Sequence, residues 1–419
     1  MINQYLRRHI VHLTMALGLI SSPAMSQMIP IGSPIGLPIA VPGGPATYTL
    51  IDLGTLGGSS STATGIDSTG NVVGYSTTAD GSTHAFYYDV LAGTLTDLGT
   101  LGGTTSQASA LNDSGTITGS ASLADGSTHA FAFSNGVMTD LGALDTFNTD
   151  GYSYGQGIDS SGNIIGYSHT AGGDHGFWYS NGTLTDLGVG ANGVYAFGLN
   201  DSGVVTGSFD VNGSQHAFSF SSGTTVDLGT LGGPSSVGRH VDAYGDIVGR
   251  ADTASNGSGH AFLYSGGTLT DLGTLGGSQS DALWINNSGW VTGSSGTMGD
   301  ADTHAYLYDG TTLSDLNTLI DPNDPLAPYV TLQQGAAIND GGVLAVVGID
   351  ARTGQTHAYL VRPNVLNTDG IVMPTVMAAS GANESANTGG GGATGTVELG
   401  LLLSLLLARG LKARACRSR

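Results

Sequence analysis

Residues 48–53 read Tyr48-Thr49-Leu50-Ile51-Asp52-Leu53 (YTLIDL), the close of a repeated motif that stands here without the rest of its unit. Downstream, the same Asp-Leu pair ends a unit that contains a histidine segment: HAFYY, from His84, is followed by TLTDLG with its aspartate at Asp97. The histidine segment returns as HAFAF, HGFWY, HAFSF, HAFLY, HAYLY and HAYLV, from His129, His175, His216, His260, His304 and His357. Asp-Leu pairs begin at Asp52, Asp97, Asp140, Asp186, Asp227, Asp271 and Asp315. There are seven of each, but they are out of step. The first Asp-Leu precedes the first histidine segment, and none follows the last.

The rest of each unit aligns around these marks. A segment ending in Ile66-Asp67, Leu111-Asn112, Ile158-Asp159, Leu199-Asn200, Val241-Asp242, Ile285-Asn286 or Ile338-Asn339 leads into a turn such as Asp67-Ser68-Thr69-Gly70. A segment such as Asn71-Val72-Val73-Gly74-Tyr75 follows, then the histidine segment, then the Asp-Leu segment. These are four short runs rich in β-branched and aromatic residues, separated by Gly, Asp, Asn and Ser. The turns suit a type I geometry ending in a left-handed glycine, with Asp or Asn bonding its own backbone. Calcium ligation by those aspartates is the competing reading, and calcium is the only cofactor the sequence suggests.

Four antiparallel strands in about 45 residues is the pattern of a propeller blade. The seventh unit lacks its outer strand, and Tyr48–Leu53 is an outer strand without a unit. The expected fold is therefore all-β, a seven-bladed β-propeller of four-stranded antiparallel blades, closed by pairing the N-terminal strand into the last blade. A β-helix is the alternative, but its coils are shorter and do not come in sets of four.

Charge narrows the partners. Between Tyr48 and Pro363 the chain has 29 Asp, no Glu and no Lys, against four basic residues, Arg239, Arg250, Arg352 and Arg362, for a formal charge of −25. Such a surface repels nucleic acid and anionic membranes, and tolerates divalent cations or neutral sugars. The single cysteine, Cys416, permits no intrachain disulfide, so packing and backbone hydrogen bonds must hold the fold.

The ends read as addresses. Residues 1–26 have a basic start (Arg7, Arg8), an apolar run and small residues at Ala24 and Ser26, the pattern of an exported signal peptide cut by signal peptidase. Residues 27–46 form a linker before the propeller at 47–363. Residues 364–392 form a Gly/Ser/Asn-rich linker, and 393–419 a short apolar helix with a basic end. Glu398 interrupts that apolar run, which is shorter than the ~20 residues of a stable span. A glycine run (Gly389–Gly392), a short apolar helix and a basic end resemble the GlyGly-CTERM type of bacterial sorting tail. No Pro-Glu-Pro precedes the helix, which argues against a PEP-CTERM tail. The resemblance implies membrane contact through the tail before processing, a rhomboid-type sorting protease, and release or attachment at the cell surface.

From Tyr48 to Pro363 the recurring HAF, DLG and Asn/Asp-Ser-Gly turns resemble the HAF-repeat family of bacterial extracellular proteins. The resemblance implies location and architecture; it brings no activity and no catalytic residues.

In five units the histidine precedes its aspartate by eleven residues, and in the first, His84 to Asp97, by thirteen. A tight hairpin puts the two within a rung or two of each other, so an imidazole donating to the carboxylate or backbone would pin the outer hairpin. As metal ligands they fail, because each histidine sits on a different blade. His84, His129, His175, His216, His260, His304 and His357 therefore read as structural parts.

Function is then expected where a copy departs from the pattern. Before the last apolar residue of the innermost strand stand Gly65, Ala110, Gly157, Gly198, His240, Trp284 and Ala337. His240 and Trp284 are the bulky exceptions; Arg239 adjoins one, and Arg250 replaces the usual Tyr or Ser in the same unit. These four are candidates for holding an anionic or sugar-like ligand beside the channel. The plainer alternative is that bulky side chains fill space left by small neighbours. Two long connections, 145–156 and 321–334, share one face, and Tyr152, Tyr154 and Tyr329 on them are candidates for a carbohydrate-stacking surface. Variable loop length without a ligand is the alternative there.

No HExxH, P-loop or CxxC is present, and no catalytic residue is assigned. The expected function is a secreted or surface-attached, non-catalytic binding or scaffold protein, with extracellular polysaccharide or a surface protein as partner. The alternative is a carbohydrate-active enzyme, a glycosidase or lyase, using Asp residues on the loop face.

Overall fold

The computed structural model describes residues 47–145, 151–190, 193–254 and 258–364. The signal peptide expected at 1–26, the expected linkers (Asn364 apart) and the sorting segment expected at 393–419 lie outside the described residues.

The described chain is all-β apart from two short 3-10 turns, Met298–Asp300 and Leu316–Leu319. The first unit is the strands Gly57–Ile66, Val72–Thr78, Thr83–Asp89 and Thr94–Asp97, each antiparallel to the next. The other units repeat this order. The strands form five four-stranded sheets and one of eight, in which the first two units are joined by a single parallel pairing, Thr83 to Thr105. In the last sheet the strands Val330–Ile338, Leu344–Asp350 and Gln355–Pro363 are completed by Tyr48–Asp52, which pairs antiparallel with Gln355–Pro363.

Inner strands such as Gly57–Ile66, Gly102–Leu111, Gly232–Val241 and Gly276–Ile285 run for 10 residues, longer than the short segments expected from sequence. Their first half is the glycine-rich stretch that sequence reads as punctuation. Glycine is needed there because the strand crosses close over its neighbour: a Cβ on Gly58 would overlap Thr77. The connections read as 145–156 and 321–334 are also shorter than expected, since strands start at Ser153 and Val330. Tyr154 is consequently a strand residue rather than a loop residue.

The core lies between sheets. The HAF aromatic, at Phe86, Phe131, Phe177, Phe218, Phe262, Tyr306 and Tyr359, is fully buried in every unit. Phe86 and Ile66 of the first unit share one apolar cluster with Ala337, Ala358 and Leu360 of the last.

Two sets of polar contacts tie neighbouring sheets, and a third holds the outer hairpin within each sheet. A serine hydroxyl on the inner strand accepts from the HAF alanine amide of the preceding unit, as in Ala85 N to Ser106 (2.8 Å) and Ala217 N to Ser236 (2.8 Å). The first unit has the same contact from the last, Ala358 N to Ser61 at 2.9 Å.

The inner turns carry the second set. Where the turn opens with Asn, its Nδ2 donates to a backbone carbonyl of the next turn: Asn112 to Asp159 (2.9 Å), Asn200 to Asp242 (2.7 Å), Asn286 to Asn339 (3.0 Å) and Asn339 to Asp67 (3.0 Å). Where it opens with Asp, the following amide donates to the second residue of the next turn: Ser68 to Asp113 (3.0 Å), Ser160 to Asp201 (2.8 Å) and Ala243 to Asn287 (2.9 Å). Every donor points to the next unit in the chain, and the last points to the first.

The histidines make the third set, at the outer hairpins. Nδ1 faces the Asp-Leu carboxylate in every unit, at 2.8 Å for His84–Asp97 and His129–Asp140, and 2.7 Å for His175–Asp186 and His304–Asp315. The distance is 2.9 Å for His216–Asp227 and His260–Asp271. His357 finds its carboxylate in the unpaired N-terminal motif, Asp52, also at 2.9 Å. Most of these aspartates also cap the amide two residues on, as in Gly99 N to Asp97 (2.7 Å), at a glycine whose φ of +74° disfavours a side chain.

Candidate functional site

Each inner strand carries a β-bulge. Pairing with the second strand skips one residue: Thr64, Ser109, Gln156, Phe197, Arg239, Leu283 and Ala336. A bulge re-aims the side chain of the extra residue, and all seven line one cavity of about 330 Å³. They are seven different residue types, in contrast to the repeated Ser, His and Asp around them.

His240 and Trp284 form the floor. Their rings stack at 3.8 Å between centroids and 21° between planes. Both line this cavity and also a second of about 220 Å³ on the side of the inner turns. Gly198 must be small because a Cβ there would press on the His240 backbone. Burial pushes the His240 imidazole down to about 3, partly opposed by a backbone hydrogen bond at Ile285, so it is neutral at physiological pH.

Arg239 lies over the Phe197 ring, 5.5 Å from its centroid, and its Nη2 reaches Asp281 Oδ2 at 3.3 Å. Arg250 does not line the cavity. Its side chain runs across Gly259, where a Cβ would overlap the guanidinium. Burial raises the Asp281 pKa, and attraction to Arg239 and Arg250 opposes the rise. Of the four residues selected from sequence, Arg239, His240 and Trp284 thus meet at one cavity, and Arg250 stands outside its lining. Sequence reading missed Asp281, although it is the only carboxylate on a described inner strand.

The tyrosines divide. Tyr152 and Tyr154 meet edge to face at 5.7 Å, Tyr154 stacks on Tyr167 at 5.1 Å, and Tyr167 contacts Tyr195 at 5.1 Å and Phe197 at 6.4 Å. Asp174 anchors this row, accepting from Tyr152 Oη (2.6 Å) and Tyr195 Oη (3.0 Å). Tyr329 instead packs under the Arg352 guanidinium, 4.7 Å from its ring centroid.

Among the described residues no group of three or more His, Cys, Asp or Glu is arranged to hold a metal ion. The turn aspartates that sequence offers to calcium cap their own backbone, as Asp67 Oδ1 does for the amides of Thr69 and Asn71 at 2.9 Å.

No protein-family model matches the chain. No curated protein matches it either. Among solved structures it is similar to TolB from Acinetobacter baumannii, at 13% identity and a TM-score of 0.39, covering 70% of this chain and 80% of that one. The β-propeller domain of the Trilobed protease from Pyrococcus furiosus, described as having an open velcro topology, aligns at 15% identity and a TM-score of 0.36, over 48% of this chain and 63% of that one. A puromycin hydrolase aligns at 13% identity and a TM-score of 0.46 over 71% of this chain, which spans 53% of that protein's length.

Proposed function

We propose that the chain is a closed seven-bladed β-propeller of the HAF-repeat type, exported and then released or held at the cell surface, that binds a sugar-sized polar ligand in its central cavity without transforming it. Closure is supported by the contact of Asp52 with His357, which seats the N-terminal strand in the last sheet, and by two contacts between last and first units, Ala358 to Ser61 and Asn339 to Asp67. Export and surface attachment are supported by the basic-apolar start and the glycine-apolar-basic tail of the sequence.

One observation carries the binding reading. The residue types that repeat are engaged in hydrogen bonds between strands and sheets, while the seven bulge residues do not repeat and converge on one cavity. A cavity of this volume lies at the lower end of the range for small-molecule sites, about 300–1,000 Å³. Gln156 and Ser109 offer neutral hydrogen bonds, Thr64, whose hydroxyl donates to the Ala108 carbonyl, offers an acceptor, and Phe197 and Trp284 offer apolar faces, the combination that suits a sugar ring. Non-catalysis is supported by the turn aspartates, whose oxygens cap backbone amides.

The test is a glycan array probed with the full-length protein and with the Gln156→Ala/Phe197→Ala variant. Hits that the variant loses support the cavity as the site. Absence of any hit removes the sugar-binding reading, and turnover of a hit removes the non-catalytic one.

A further inference from the structure

The two cavities on either side of the His240–Trp284 stack have opposite electrostatic character. The turn-side cavity is lined by Asp67, Asp113, Asp201, Asp242 and Asp340, with no Arg or Lys. Among the described residues the bulge-side cavity is lined by no carboxylate, in a region that has 29 Asp, and its one charged side chain is Arg239. The five turn-side aspartates all hold repeated turn positions, so the repeat places its turn carboxylates on one side of the stack and leaves Arg239 to set the charge of the other.

The wall behind Arg239 keeps this positive character. Among the described residues Asp281 is the only carboxylate paired with Arg239, through one contact at 3.3 Å rather than a bidentate fork. Arg250 forms no ion pair among the described residues and acts on the same Asp281. Arg239 Nε is buried without a hydrogen-bond partner, so its guanidinium keeps positive charge that the single contact to Asp281 does not compensate. In a partly desolvated site, an anion that makes a charge-assisted bond to Arg239 balances it. The aspartate-rich exterior works against a polyanion, because each added charge brings further repulsion at the entrance. It works little against a single charge, which is screened beyond about 8 Å at physiological ionic strength.

From this we infer that the ligand of the bulge-side cavity is a monocarboxylated sugar, free or as the terminal residue of a glycan, with its carboxylate on Arg239 and its ring between Phe197 and the Trp284 floor. The inference rests on the cavity-binding reading above and adds the ligand's charge.

An array of matched neutral and uronate-terminated glycans, followed by calorimetry of the full-length protein with galacturonate and galactose, tests it. Wild type should favour the carboxylated member of each pair by about tenfold or more, the effect of one charge-assisted hydrogen bond. Arg239→Gln should abolish that preference. Asp281→Asn keeps the shape while removing the competing carboxylate, and should strengthen the preference severalfold. A purely structural role for the pair gives the opposite result for Asp281→Asn, lower stability without tighter anion binding, and this overturns the proposal. Equal or better binding of the neutral sugars overturns the carboxylate assignment while leaving the cavity as a binding site. No binding of either series overturns both. Free galacturonate and uronate-terminated glycan distinguish a soluble metabolite from a polymer end as the source.

Discussion

The paired histidines show how much one residue type can be read from spacing. The regular interval to an aspartate points to a structural pair, and His357, with no aspartate after it, points back to Asp52. Hydrogen bonding to Asp52 raises the His357 pKa above 6.5. Its folded form therefore binds a proton more tightly than the unfolded chain. The resulting stability is fully present below the unfolded pKa and is lost as pH rises through the higher folded value. Asp52→Asn should accordingly lower the melting temperature more at pH 6 than at pH 9, since Asn still accepts a hydrogen bond but has no charge. An equal loss at both pH values would show that the charge contributes nothing. A second prediction concerns the inner turns. Asn112→Asp changes neither size nor shape, yet it faces one acceptor with another where Nδ2 donates to the Asp159 carbonyl. We expect a loss of about 1–3 kcal/mol in chemical denaturation. Asp281 shows the limit at this scale: it is visible in sequence as an acidic residue on an inner strand, but its partner is not.

The strand order of every unit is legible, because runs rich in β-branched and aromatic residues alternate with turn residues. The bulge is not. Sequence alternation assigns a face to each residue by counting in twos, and a bulge adds one residue that counting cannot detect. Attention therefore falls on His240 and Trp284, one position beyond the residues that the bulge re-aims. A trace of it does exist in the second strands. Gly74, Gly119, Gly166, Gly207, Gly249 and Gly293 each sit under a carbonyl of the bulged strand, and a Cβ on any of them would overlap it. Gly166→Ala, pressing on the Tyr154 carbonyl, should cost about 2–4 kcal/mol and be visible in a thermal melt. The last unit has Val346 at this position, and its inner strand shows a second register shift that its counterparts lack there, between Leu332 and Gln334. If Gly166→Ala is silent, the bulge is not what requires glycine.

For the whole molecule, the mismatch between seven histidine segments and a displaced first Asp-Leu pair is the sequence signal behind the proposed closure. The short N-terminal strand should have a disproportionate effect. Without residues 47–54, the Gln355–Pro363 strand would be left with an open edge and His357 without its carboxylate. A protein truncated in this way is expected to melt at a much lower temperature and to self-associate in size-exclusion chromatography with light scattering. If it stays monomeric with an unchanged melting point, the ring is not closed through this strand. Length and loop composition do not reveal the opposite polarity of the two cavities. It depends on which turn residues meet across the ring, and only three-dimensional placement supplies that.

The inner-turn contacts obey a rule of succession. A unit opening its turn with Asn accepts any follower, because it donates to a backbone carbonyl that every follower has. A unit opening with Asp needs a follower with Asp or Asn in second place, and Asp113, Asp201 and Asn287 meet that need. Strict alternation of the two kinds works only around an even number of units. With seven, parity must fail once, and it fails where Asn286 is followed by Asn339. There both kinds of link form together, the second from Asn287 N to Asp340 at 2.8 Å. Units could thus be shuffled or recombined wherever the rule is kept, and the proposed closed ring of seven would always contain at least one seam with two like neighbours.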